Sequence, residues 1–244
     1  MNPLLVAHGT RKSTGVSTIA ELADHVGRTL RHRVRVAFVD VLGPTPTEVL
    51  ADLAGPVVLV PAFLSGGYHV HHDLPAHIAN SGHPDVTVTP ALGPCPEIVR
   101  VITHRLLESG WQPGDSVLLA AAGSSDPRAH RDLRITATLL SAAIGSRVEL
   151  GYAATGEPYV SDAVSSLRAD GAKRVAVASY LLSDGLFQDR LRASGADIVT
   201  EPLGLHPGAV RLIANRFRRA RVPAPTPGLF VRRYEGMGWG LAHM

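Results

Sequence analysis

Short apolar runs at 4–7, 34–39, 57–60 and 86–88 alternate with longer stretches in which apolar residues recur every three or four positions. That alternation predicts parallel strands joined by crossover helices, an α/β fold. Ile19, Leu22, Ala23, Val26 and Leu30 form one stripe of the first helix. The next helix is marked by Thr45-Pro46-Thr47-Glu48, where Thr45 caps, Pro46 suits the first turn and Glu48 closes a capping box. Ile98, Val101, Ile102 and Leu106 repeat the helical stripe after Cys95-Pro96, and 109–115, with Gly110, Pro113 and Gly114, reads as a linker. Strands and helices then alternate again at 117–121, 128–143, 148–152, 158–169, 175–178, 186–194, 198–200 and 207–220.

The second series repeats the first. Val57-Val58-Leu59-Val60 running to Gly66-Gly67-Tyr68-His69 matches Val175-Ala176-Val177-Ala178 running to Asp184-Gly185-Leu186-Phe187. Leu5-Val6-Ala7-His8-Gly9 matches Leu119-Ala120-Ala121-Ala122-Gly123, and the blocks before Pro44 and Pro158 and around Leu92-Gly93 and Leu203-Gly204 follow in the same order. Self-similarity in fixed order marks an internal duplication. We therefore expect two tandem α/β halves, each a four-stranded, mainly parallel sheet flanked by helices, with a cleft between them. The division is 1–110, an N-terminal half carrying the active-site histidines, 116–220, a degenerate repeat, and 221–244, an irregular tail rich in Pro223, Pro225 and Pro227.

Composition narrows the chemistry. The one cysteine, Cys95, excludes an intrachain disulfide and any cysteine-based metal cluster, so metal chemistry must use histidine and carboxylate. No apolar run reaches the roughly 18 residues of a membrane span, and Met1-Asn2-Pro3 lacks the basic patch of a secretory leader, which points to a cytoplasmic protein. The formal net charge is +3, with arginines gathered late in the chain, yet aromatic content is low and no nucleic-acid motif is present. Neither nucleic acid nor membrane is expected as a partner.

Ligands of such sheets sit beyond the carboxyl ends of the strands. His8 ends the first strand, Asp40 ends the second, and His69 lies in the loop after the third, so all three fall on one edge. Their counterparts Ala122 and Phe187 have lost the imidazoles while the apolar framework persists. A neutral imidazole at a strand end serves as a metal ligand or a proton acceptor, although the same residue also serves as an ordinary hydrogen-bonded strand end. A phosphohistidine enzyme would place arginine where Ala7 stands. His71, His72 and His77 follow His69 closely and make either a metal-collecting loop or a polar surface; Asp73 is placed to cap the helix that starts at Leu74-Pro75.

As a set, His8-Gly9-Thr10-Arg11, Phe38-Val39-Asp40, Pro61 through Val70 with Asp73-Leu74-Pro75, and Leu92-Gly93-Pro94-Cys95-Pro96 resemble the sirohydrochlorin chelatase family, the small class II chelatases that insert Co2+ or Fe2+ into sirohydrochlorin. The resemblance covers the first half block by block and the second more weakly, to about Ala220. It implies two flavodoxin-like halves around a tetrapyrrole cleft, and a lyase with His8 and His69 as metal-handling histidines and Asp40 as the acid of the second strand. The family more usually shows Glu at that position, and Ser in place of Thr10. It implies no tightly bound cofactor, the divalent metal (Fe2+ first, Co2+ next) being a substrate, and one active site in a duplicated, monomeric chain. Arg11, Lys12, Tyr68 and the backbone amides of Gly66 and Gly67 are the expected contacts for the carboxylated rim of the macrocycle. A tetrapyrrole or metal carrier with the same cleft is the competing class. A hydrolase ranks last, because neither Cys95 nor Ser65 sits in a nucleophile elbow.

Overall fold

The computed structural model describes residues 2–10 and 12–220; the expected tail, 221–244, and Arg11 lie outside the described residues. The first half runs β1 (Asn2–Ala7), α1 (Ser13–Leu30), β2 (Arg35–Phe38), α2 (Pro46–Ala51), β3 (Val57–Pro61), a π-helical turn (His69–Asp73), α3 (Leu74–Ser81), β4 (Val86–Val88) and α4 (Pro96–Glu108). The second runs β5 (Ser116–Gly123), α5 (Pro127–Ile144), β6 (Val148–Thr155), α6 (Val160–Ala169), β7 (Val175–Tyr180), α7 (Leu186–Arg192), β8 (Ile198–Val199) and α8 (Pro207–Arg219).

Two parallel sheets result, ordered β2-β1-β3-β4 and β6-β5-β7-β8. Their registers are the same. Leu5 sits between Val36 and Val60 in the first sheet, and Leu119 sits between Leu150 and Ala178 in the second; Val58 pairs Thr87 as Ala176 pairs Ile198. Each of these pairs is the one the internal repeat assigns. A one-residue slip would turn every side chain to the other face, so the agreement reflects a preserved core pattern.

Local chemistry explains the element starts. Thr45 accepts the Glu48 amide and Glu48 Oε2 accepts the Thr45 amide at 2.7 Å, the expected capping box. The segment 109–115 is anchored instead of trailing: Trp111 is 7% exposed and belongs to the buried cluster. That cluster is common to both halves. Ile98, Ile102 and Leu106 of α4 and Leu212, Ile213 and Phe217 of α8 pack in it with Leu5 of β1 and Leu119 of β5. Burying side chains of this size stabilises by roughly 1.5–3 kcal/mol each. The helices between the sheets therefore hold the two carboxyl edges in a fixed relation. No described helix is long and apolar enough to cross a membrane.

Candidate functional site

The crossover from β1 leaves toward β2 on one side of the first sheet, whereas β3 and β4 lie on the other. The switch point is between β1 and β3, where the parting loops open a crevice at the carboxyl edge. His8 follows β1 and His69 follows β3, so the two histidines flank that point. Their rings meet edge to face with centroids 4.8 Å apart.

Each ring is oriented through Nδ1. His8 Nδ1 lies 2.6 Å from the Gly9 carbonyl, which only accepts, so the hydrogen is on Nδ1. His69 Nδ1 lies 2.6 Å from Asp73 Oδ2, which likewise accepts. In the neutral form of each ring Nε2 then carries the lone pair, the form that binds a metal or takes a proton. Phe63 stacks along the His69 ring at 6.0 Å and shields it on one side. Asp40 Oδ2 stands 3.8 Å from His8 Nε2, near enough to stabilise an imidazolium but beyond a hydrogen bond. Asp40 is more than half exposed and its other oxygen accepts the Val41 amide at 2.6 Å. Gly9 is required for this approach, since a Cβ there would lie 2.1 Å from the Asp40 carbonyl oxygen.

Asp73 does not cap a helix. The chain is already helical at Asp73, because the π turn passes straight into α3, and no capping hydrogen bond forms. The wide turn instead sets the Asp73 carboxylate, four residues on, beside His69.

The remaining histidines of the loop disperse. His77 Nδ1 lies 2.8 Å from the Thr47 hydroxyl on α2, and His72 accepts from Arg128 at 3.1 Å while stacking on Tyr68. Of that group, His69 alone faces His8. Lys12 and Tyr68 line the cleft, Lys12 bound to Asp189 of the second half. Gly67 lines it too, but the Gly66 amide donates to Asp132 Oδ2 at 2.7 Å and is committed within the protein.

The cleft, of about 780 Å³, has two walls. One carries His8, His69, Phe63 and Tyr68. The other comes from the second half and includes Ala122, Leu182, Leu186 and Phe187. Leu186 and Phe187 are exposed within it. The position of His69 in the repeat is thus occupied across the cleft by an aromatic ring.

Two second-half residues escaped the reading of the sequence. Tyr180 is buried and donates to the Leu64 carbonyl at 2.7 Å; its burial pushes the phenol well above its ordinary range, so it stays a donor. Gly93 lets it pass, since a Cβ there would stand 2.3 Å from the Tyr180 oxygen. Asp132 holds the Gly66 amide. Together they grip the loop at Leu64 and Gly66, a few residues before His69. The available signal was the repeat itself, which puts the β7 loop on the same edge as the β3 loop.

The comparisons with known proteins agree with this layout. The sirohydrochlorin ferrochelatase of Priestia megaterium is 25% identical over 235 residues, covering 88% of both chains. The sirohydrochlorin cobaltochelatase of Methanothermobacter thermautotrophicus is 29% identical in an alignment of 127 positions that covers 42% of this chain and 88% of that one. Among solved structures, SirB from Bacillus subtilis with Fe3+ superimposes with a TM-score of 0.75 at 23% identity, over 90% of this chain and 96% of that one. The CbiX described as the terminal enzyme for biosynthesis of siroheme in denitrifying bacteria gives 0.71 at 24% identity, over 91% and 100%. Those structural likenesses carry the tandem fold. The CbiX family model matches residues 2–109 and again 116–220, once on each half, so the chain belongs to the CbiX family.

Proposed function

We propose that this protein is a sirohydrochlorin chelatase, a lyase that inserts Fe2+, or next Co2+, into the macrocycle in the cleft between its halves. The observation that carries the reading is the meeting of His8 and His69 at the switch point, each ring anchored through its Nδ1. The relatives named above support the substrate. The N-terminal half, 1–110, holds the active site, and the degenerate half, 116–220, supplies the facing wall. One chain then builds both walls of one cleft, in keeping with a cytoplasmic monomer.

Insertion exchanges one dication for two pyrrole protons. His8 Nε2 and His69 Nε2 hold the metal on one face of the macrocycle, as neutral ligands that bind it less tightly than thiolates and so release it. As the metal passes to the ring nitrogens, each vacated Nε2 takes one departing proton. Two protons replace one M2+, so the charge of the site does not change. Asp40 beside His8 and Asp73 on His69 stabilise the two imidazolium ions. Lys12, Tyr68, Gly67 and Arg11 are assigned to the carboxylated rim, and Phe187 with Leu186 to the opposite face of the macrocycle. No tightly bound cofactor is needed.

The test is an anaerobic absorbance assay of sirohydrochlorin with Fe2+ or Co2+. Catalysis requires acceleration over the spontaneous reaction at substoichiometric protein. Tight binding of the macrocycle without acceleration would make the protein a carrier and refute the enzyme reading.

A further inference from the structure

Where α4 crosses α8, away from the cleft, three side chains converge on one point. His104 Nδ1 and Glu108 Oε1, one turn apart on α4, are 3.1 Å from each other. His206, at the start of α8, brings its Nε2 to 2.9 Å from the same Nδ1. All three donor atoms fall within 4.8 Å, and none of these residues lines the cleft. His206 is buried, whereas His104 and Glu108 face solvent.

Protons alone do not satisfy this cluster. The Gly208 amide donates to His206 Nδ1 at 2.9 Å, which puts the ring hydrogen on Nε2, aimed at His104. Glu108 pairs with Arg105 through its other oxygen, Oε2, at 2.9 Å, as a carboxylate does. If His104 Nδ1 accepts from His206, the carboxylate of Glu108 faces it lone pair to lone pair. If Nδ1 instead carries a hydrogen for Glu108, two N–H groups confront each other.

A cation removes the conflict. A metal about 2.0–2.1 Å from each donor, at octahedral to tetrahedral angles, needs neighbouring donors roughly 2.8–3.4 Å apart, a range that contains the separations of His104 Nδ1 from Glu108 Oε1 and from His206 Nε2. We infer that His104, Glu108 and His206 form a second divalent-cation site, of the type that takes Zn2+, Ni2+ or Co2+, which ties α4 of the first half to α8 of the second. Loading moves the His206 hydrogen from Nε2 to Nδ1 and gives up the hydrogen bond from the Gly208 amide. Two imidazoles and a carboxylate suit a borderline cation better than Mg2+ or Ca2+. The site does not depend on the chelatase reading.

The test uses the full chain carrying His8→Ala and His69→Ala, so that the cleft is silent, titrated with Ni2+ by calorimetry and followed by thermal melting. We expect bound Ni2+ that raises the melting temperature, as any ligand of the folded state does. Adding His104→Ala should remove one equivalent and most of that rise, and adding Glu108→Gln should weaken the same equivalent by about tenfold. Both residues are exposed, so neither change threatens the fold. Adding His71→Ala and His72→Ala instead should leave the equivalent in place. Ni2+ binding and melting that are the same with and without His104, or no Ni2+ binding in the parent variant, would overturn the inference.

Discussion

The two halves carry the same strand register and opposite chemistry. On equivalent strand ends the first half presents His8 and His69, while the second presents Ala122 and Phe187. The difference separates what the fold needs from what the reaction needs. Apolar strands, the Gly-containing loops and the helix stripes persist in both halves because each sheet must bury its faces. At these two positions imidazoles persist in one half alone, as the proposed function, one metal held by one pair, requires. In their place the second half provides an apolar wall and, through Tyr180 and Asp132, holds the loop that leads to His69.

The comparison breaks most sharply at the histidines. His8→Ala or His69→Ala should each lower the metallation rate by about 100-fold or more, whereas His77→Ala, bound to Thr47 outside the cleft, should change it less than twofold. Equal small losses for all three in the absorbance assay would remove the asymmetry between the halves. Next in size is Asp73→Ala, which frees the His69 ring and should cost roughly 10- to 100-fold. Asp73→Asn, which still accepts the Nδ1 hydrogen, should recover part of that loss.

The second half is tested by smaller changes. Tyr180→Phe leaves the Leu64 carbonyl without its donor in a buried place, so denaturant unfolding should show a loss of about 1–3 kcal/mol, accompanied by slower metallation. Phe187→Ala should raise KM for sirohydrochlorin several-fold, with little change in the dependence on metal concentration. A change confined to the metal dependence would count against the apolar wall. The smallest effect belongs to Asp126, which caps α5 and pairs with Arg128. Its hydrogen bonds to the Arg128 side chain and backbone lower its carboxyl to about 2. The folded value lies below the unfolded one, so its contribution is present above pH ~4 and fades as pH falls toward 2. Thermal melts of Asp126→Asn and the parent should differ slightly at pH 7 and converge near pH 2.

Much of this was legible from the residues in order. The alternation of short apolar runs with stretches of helical period located the eight strands and eight α-helices of the described residues, and the repeat anticipated that the two halves share one layout. His8, Asp40 and His69 were marked by standing at strand ends of one edge. What stayed hidden has a common physical cause, which is contact between distant segments. Asp132 reaches Gly66 and Tyr180 reaches Leu64 across the interface of the halves, and no local pattern encodes either bond. Asp73 was misplaced for a related reason. Asp before Leu-Pro is good capping chemistry, but a π turn upstream had already begun the helix and turned the carboxylate to His69. Trp111 in the expected linker was drawn into the core shared by both halves.

The central claim is that His8 and His69 grip one ion together. X-ray absorption of the protein with one equivalent of Co2+, in the background of His104→Ala, reads the ligands directly. Two imidazoles are expected on a single cobalt, falling to one in His8→Ala and likewise to one in His69→Ala. A cobalt whose imidazole count is unchanged by either substitution, or that loses ligands only on replacing His71 and His72, would contradict it.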